Sequence, residues 1–300
     1  MVKADAYNHG ASAVAKYVED LVDAYAVAQV EEGAFLRAQG VTSPIIVMGY
    51  DGSSKEIIRD YTLIPVIHDI NSISSLKGCT TCCDLKIDSG MNRLGFNSPT
   101  EIACAIKLLE EYDVKMRAVC THFYSKESIL EQLDKFNSLT APIKGVKVHC
   151  SATTGILSGY IFDEVRVGML AYGYGSRIVK PAMRVTSNIL AVRRLNIGDV
   201  AGYDGIIKCD KPMTIAIVSG GYYDGIDNAL GKFVKVKDKY CKVLPSICMD
   251  MFYIDVTNVN VKVGDEVEIF SKELVDKENI IRPYRQMTTI KGRAKRVYYN

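Results

Sequence analysis

The chain lacks any run of about 18 apolar residues and any signal-peptide pattern at its start, so it reads neither as membrane-spanning nor as exported; the cytoplasm is the expected compartment. It also lacks a charge imbalance. Lys and Arg number 37 against 35 Asp and Glu, a net charge of +2, with no basic stripe and no aromatic-basic module. That excludes nucleic acid and membrane surfaces as expected partners and leaves small molecules. A disulfide framework is missing too, because nine cysteines is an odd number and they are scattered through apolar stretches as reduced thiols would be. Cys79, Cys82 and Cys83 cluster without a second ligand pair at metal-like spacing, and the nearest histidine, His68, belongs to another element, so no metal is expected. No Pro- or Ser-rich linker, low-complexity tract or short repeat appears. What is there, 48% hydrophobic and 24% charged over 300 residues, suffices for a sizeable core and two domains.

Short β-branched or apolar runs alternate with helical spacing through the first half. The runs are residues 2–4, 25–30, 44–50, 63–68, 82–88, 114–123, 146–152 and 164–172. Segments 101–112 and 127–139 carry helical periodicity between them. Eight such units predict an α/β fold, a closed (β/α)8 TIM-like barrel over residues 1–175, with an open doubly wound sheet as the fallback. In a barrel the loops after the strands converge on one mouth. Lys3, Arg93, His122, the stretch 149–154 and Arg166 all fall at or just after strand ends.

From about residue 176 to 300 the pattern changes to alternating strands, as in 183–192, 213–218, 233–236, 253–256 and 266–269. This predicts an all-β C-terminal domain. Asn196-Ile197-Gly198-Asp199 and Lys262-Val263-Gly264-Asp265 are two copies of one turn signal.

Six motifs, in order along almost the whole chain, carry a resemblance. They are Val2-Lys3-Ala4-Asp5-Ala6-Tyr7-Asn8-His9-Gly10, Lys86-Ile87-Asp88-Ser89-Gly90-Met91-Asn92-Arg93-Leu94-Gly95-Phe96 with Thr121-His122-Phe123, Val165-Arg166-Val167-Gly168-Met169, Ala201-Gly202-Tyr203-Asp204-Gly205, Gly221-Tyr222-Tyr223-Asp224-Gly225 and Ser246-Ile247-Cys248-Met249-Asp250-Met251. The chain resembles the fold-type III, pyridoxal phosphate dependent alanine racemase family, including its serine/alanine racemase branch.

The resemblance implies a racemase that holds pyridoxal 5'-phosphate on Lys3 and exchanges the substrate Cα proton with two bases. Lys3 is one and Tyr203, from the other subunit of a homodimer, is the second. It implies that Arg166 faces the pyridine nitrogen, with His149 behind it and His122 beside the ring. An arginine there donates a hydrogen bond without readily giving up its proton, which weakens the ring as an electron sink. Tyr7, Thr153, Gly168 and Met169 are implied for the phosphate, Arg93 and Met249 for the substrate carboxylate, and Tyr222 for the entry channel. Lys86 matches a lysine that this family can carbamylate to brace Arg93. D-Alanine for cell-wall precursors would be the product.

Three departures accompany the match. The family carries roughly three dozen residues before its lysine motif, so the N-terminus reads as truncated or its start as misplaced. The tail 287–296 is short, with Gly292 nearest the place of a late active-site tyrosine, which keeps serine as an alternative substrate. Asn8 stands where glycine is usual, a mild change because asparagine tolerates left-handed backbone. A truncated, inactive cofactor-binding homologue is the remaining alternative.

Overall fold

The computed structural model describes every residue except 227–230, 279–282, 291–292 and 300; Gly292 therefore lies outside the described residues. The chain divides into two units, Met1–Ala171 and Tyr172–Asn300.

In the first unit, six parallel strands are found among the described residues, ordered β1 (Tyr25–Val27), β2 (Ile45–Val47), β3 (Ile64–Ile67), β4 (Cys82–Lys86), β5 (Lys115–Cys120) and β6 (Lys147–His149). The run at 2–4 and the run at 164–172 are not strands, which corrects two of the eight expected ones. Both still hydrogen-bond as ladder neighbours. Glu164 and Arg166 donate from their backbone N–H to Val148 and Ser151 carbonyls beside β6, Met1 N donates to Val167 O at 2.9 Å, and Val2 N donates to Ala26 O in β1 at 2.9 Å. The ring is thus closed at eight positions, two of them irregular. Irregularity at the first has a cause, since residues 4–8 are left-handed and cannot continue a strand.

β1 and β2 are buried on both faces, as parallel strands between a barrel interior and covering helices must be. Ala26, Ile46, Val66 and Cys120 form one inward cluster. Outside, Gly33 of the helix Val30–Ala38 lets the backbone approach β3, because a Cβ there would stand 2.9 Å from Leu63 Cδ1. The helix Pro99–Glu111 buries Ile102, Ala105 and Leu109, and Ile129–Thr140 buries Ile129, Gln132, Phe136 and Leu139; both were expected from their periodicity.

In the second unit, β7 (Val185–Leu195), β10 (Met213–Ser219), β11 (Phe233–Val236), β12 (Lys239–Leu244), β13 (Met251–Asp255) and β14 (Glu266–Phe270) close an antiparallel barrel in the order β10-β13-β12-β11-β14-β7. A small pair, β8 (Val200–Ala201) and β9 (Ile207–Lys208), stands apart. Alternate residues fill the core, as with Val234 and Val236, Phe252 and Ile254, and Val267 and Ile269. The two predicted turns are copies in space as well. Asp199 and Asp265 accept the Asn196 and Lys262 N–H at 2.7 and 2.9 Å, while Gly198 and Gly264 take φ of 91° and 89°. β12 escaped the sequence reading because Lys239, Tyr240 and Lys242 interrupt its apolar alternation.

Candidate active site

Lys3 opens a turn in which residues 4–8 all have φ between 51° and 68°, a left-handed helical turn. For L-residues this costs about 1–2 kcal/mol each, so the surroundings must hold it. Glu32 does so by accepting the Ala4 N–H at 2.6 Å and the Ala28 N–H at 2.7 Å, and Asp5 Oδ1 accepts the Ala11 N–H at 2.7 Å. Asn8, at φ 68°, completes the turn where asparagine is tolerated. The lysine's pKa is lowered, first by burial, then by the Arg93 charge, against Glu32.

Arg93 is presented by a loop that returns on itself between β4 and Phe96. Asp88 Oδ1 accepts the Gly90 and Asn92 N–H groups at 3.0 and 2.9 Å, and Phe96 N donates to Lys86 O at 2.9 Å. Gly95 is required there, since a Cβ would lie 2.5 Å from Asp88 N and its φ is +132°. Lys86 at the end of β4 is buried, and that burial lowers its pKa, with Cys120, Arg166 and Arg93 as neighbouring influences.

Arg166 is the most thoroughly held cation. Its Nη1 donates to His149 Nδ1 at 2.8 Å and to the His149 carbonyl; its Nη2 donates to Thr121 O at 2.7 Å, Cys150 O at 3.0 Å and, more loosely, His122 Nδ1 at 3.3 Å. His149 Nε2 meets Asp84 Oδ2 at 3.0 Å. Burial, followed by Arg166, Lys86, Arg93 and Lys3, holds the His122 imidazole down to about 3, so it is neutral at ordinary pH. Behind it, Gln132 donates to the His122 carbonyl at 3.1 Å and to Ser89 Oγ at 3.3 Å, and accepts from Ser128 Oγ at 2.9 Å.

Gly168 lies against Tyr7, where a Cβ would stand 3.1 Å from the tyrosine hydroxyl. Met169 follows it in a turn closed by the Ala171 N–H on Gly168 O at 2.9 Å. Thr153, buried, begins the helix Thr153–Leu157 after β6.

In the second unit two loops interlock. Tyr222 N donates to Cys248 O at 3.0 Å and Tyr223 N to Met249 O at 3.2 Å, bringing Tyr222 and Met249 together. Gly221 makes this possible, because a Cβ there would stand 2.1 Å from Cys248 O and 2.3 Å from Met249 O. Asp224 accepts from Arg293 at 3.0 and 2.8 Å, and Arg293 also pairs with Asp250 at 2.9 Å. Tyr203 sits on the turn Tyr203–Gly205, where Gly202 lies 3.8 Å by its Cβ direction from Pro245 O, and the tyrosine is 72% exposed.

Sequence reasoning missed Asp84, Arg117, Gln132 and Arg293. The signal for Asp84 was present as a carboxylate inside the apolar strand Cys82-Cys83-Asp84-Leu85.

An eight-position α/β barrel with a cationic mouth, followed by a β-barrel unit offering tyrosine-bearing turns, defines a class: the barrel-type amino-acid racemases. Family models agree over nearly the whole chain, "alanine racemase, N-terminal domain" matching residues 1–176 and "alanine racemase, C-terminal domain" residues 182–298. The chain belongs to the alanine racemase family, enzymes that interconvert the two mirror forms of alanine. An alanine racemase of Thermodesulfovibrio yellowstonii is 32% identical over 326 residues, covering 99% of this chain and 88% of that one. Among solved structures, the alanine racemase of Acinetobacter baumannii matches with a TM-score of 0.84 at 28% identity, over 98% of this chain and 90% of its own. That of Bartonella henselae, solved with covalently bound pyridoxal phosphate, matches with a TM-score of 0.88 at 26% identity, over 99% and 91%.

Proposed function

We propose that this chain racemises alanine with pyridoxal 5'-phosphate at the barrel mouth, using Lys3 of one chain and Tyr203 of a second copy as the two bases. The observation that carries the reading is the mouth's charge. Among the described residues, none of Lys3, Lys86, Arg93 and Arg166 forms an ion pair, although these four influence one another electrostatically. Such a cluster fits an anionic aldehyde cofactor and a carboxylate substrate. Tyr7, whose hydroxyl lies against the bare Gly168, and the buried hydroxyl of Thr153 supply the polar groups that a phosphate needs.

When bound, the cofactor supplies a conjugated ring that accepts electron density and makes the substrate Cα proton removable. The rest falls to the protein. Lys3, with its pKa lowered by burial, has more of the free amine needed to hold the cofactor and to take a proton. Arg166 would donate toward the ring nitrogen yet keep its proton, since an arginine resists deprotonation. His122, held neutral, would sit by the cofactor without adding charge. Arg93 binds the substrate carboxylate together with the backbone at Met249, Tyr222 narrows the entry, and Tyr203 exchanges the proton on the face opposite Lys3. Lys86, buried and shifted toward its free amine, has the nucleophile that carbamylation by carbon dioxide needs, and the resulting carbamate would brace Arg93.

Exposure supports a homodimer. Tyr203, Tyr222 and Met249 are 72%, 53% and 50% exposed, whereas proton transfer needs a site shielded from water. Nine unpaired cysteines fit a reducing cytoplasm, where D-alanine would supply cell-wall precursors. The test is Lys3→Ala. It should abolish the visible absorbance of lysine-bound cofactor and cut racemisation by at least about 10³-fold; full activity in this variant would sink the proposal.

A further inference from the structure

Asp84 is fully buried in the middle of β4. A carboxylate there needs a counter-charge, because desolvating it alone costs several kcal/mol. Arg117 of the neighbouring β5 supplies one through two parallel bonds, Nε to Oδ1 at 2.8 Å and Nη2 to Oδ2 at 2.6 Å. The remaining Nη1 donates to Glu164 Oε1 at 2.8 Å, and Lys147 Nζ reaches the same oxygen at 2.9 Å. Lys147, Glu164, Arg117 and Asp84 therefore balance one another, and the row continues through His149 to Arg166.

His149 is the one member of this row whose proton can change place. Three side chains face it: Asp84 at Nε2, Arg166 at Nδ1, and the buried Cys120 thiol within hydrogen-bond reach. A guanidinium has donors only, so Nδ1 must be bare, and a carboxylate accepts only, so Nε2 must carry the proton. Burial opposes a charged imidazolium, whereas a Cys120 thiolate and the Asp84 carboxylate would push the ring up to about 9; the contact with Arg166 decides for the neutral ring, because at 2.8 Å an imidazolium would set N–H against N–H. With Arg117 holding the charge of Asp84, the neutral ring is the consistent state.

We infer that Asp84 and Arg117 are positioning residues of the racemase reaction: together they fix the His149 tautomer, and through it aim the Arg166 guanidinium at the cofactor ring nitrogen. This rests on the reading of Arg166 as the ring-nitrogen partner. The sequence motifs do not contain either residue, and neither is among the residues assigned to cofactor or substrate. They act across one strand pair, β4 to β5, where the register shifts between Cys83, opposite Met116, and Asp84, opposite Ala118, and leaves Arg117 as the extra residue on β5.

The experiment is nitrogen-15 NMR of histidine-labelled holoenzyme, tractable with four histidines in the chain. Wild type should show His149 neutral at pH 7, with Nε2 protonated and Nδ1 bare. Arg117→Met should turn it into an imidazolium, and kcat should fall roughly 10- to 100-fold with little change in KM for alanine, the signature of misaimed machinery. A wild-type His149 carrying its proton on Nδ1 would overturn the inference, as would an Arg117→Met enzyme with unchanged tautomer and kcat. Should that variant fail to fold, the double change Asp84→Leu with Arg117→Met strands neither charge. It should fold and bind cofactor, yet lose the fixed tautomer and the same factor in kcat; a wild-type rate would refute the inference. Arg166→Lys separates the two readings, because unchanged racemisation there removes the role of Arg166 while the wild-type His149 spectrum still reports on the row itself.

Discussion

The two units carry their chemistry in opposite ways. The barrel buries two of its four mouth cations, Lys86 and Arg166, and leaves Lys3 half-buried and Arg93 exposed; Arg166, 9% exposed, is locked by donation to four carbonyl or imidazole groups besides His122 at longer range. The β unit holds Tyr203, Tyr222 and Met249 on the outside of turns; the Tyr222 and Met249 loops are joined by backbone bonds, with Asp224, Asp250 and Arg293 pairing beside them. Buried groups have their protonation set by the fold that surrounds them. Exposed groups acquire theirs only when another surface covers them. On the proposed function, the difference means that the Arg166 environment is set within one chain, whereas the tyrosine-bearing turns await a partner surface.

Tyr203→Phe should break this comparison hardest, because on the proposed function the β unit's only base is this one hydroxyl. Racemisation is expected to drop by about 10²–10⁴-fold. Lys3 would still serve its own face. Proton exchange at Cα in heavy water should therefore persist for one enantiomer far better than for the other. Equal and negligible losses in both directions would show that Tyr203 is an ordinary turn residue.

Gly221→Ala tests how far the close backbone approach of the two loops aligns the exposed half. Its Cβ would stand 2.1 Å from the Cys248 carbonyl, so one loop must move, at a cost of about 1–3 kcal/mol. Urea unfolding should show that loss, and KM for alanine should rise because Tyr222 and Met249 part. Unchanged stability would mean that the two loops have slack.

The buried half makes its own prediction in pH. His122 titrates near its ordinary value when unfolded but only at about 3 when folded, since burial and four cations oppose its charge. Between those values the unfolded chain binds the proton and the folded one does not. The stability that comes from keeping this ring neutral is fully present above about pH 6.5 and is lost as pH falls toward 3, at no more than about 1.4 kcal/mol per pH unit. Comparing His122→Gln with wild type over pH 4–7 isolates the effect; curves that run parallel would contradict it.

Much of the site was legible because its motifs exist for backbone reasons. Gly95, Gly168 and Gly221 each stand where a side chain would collide, so these segments can be spelled in few ways. The strands were legible where both faces are apolar, as in Ile45-Ile46-Val47. Legibility failed where a residue's role depends on a neighbour far along the chain. Asp84 reads locally as an interruption of an apolar strand, and Arg117 as a surface charge; only the pairing of β4 with β5 makes them partners. The runs at 2–4 and 164–172 were misread for a related reason. Their composition suits strands, but the left-handed turn after Lys3 and the anchoring of Arg166 take precedence over local preference.

The smallest effect belongs to that left-handed turn. Asn8 holds φ 68°, where glycine would sit without strain, so Asn8→Gly removes a steric cost from the folded state. It also frees the unfolded chain, which costs a similar amount on folding, so the net change in stability should stay within about 1 kcal/mol. Thermal unfolding can resolve that. A much larger loss would show that the asparagine side chain, and not its backbone tolerance, supports the turn that presents Lys3. The start of the barrel would then depend on side-chain contacts in the same way as the row behind Arg166, and the contrast with the backbone-aligned β unit would widen.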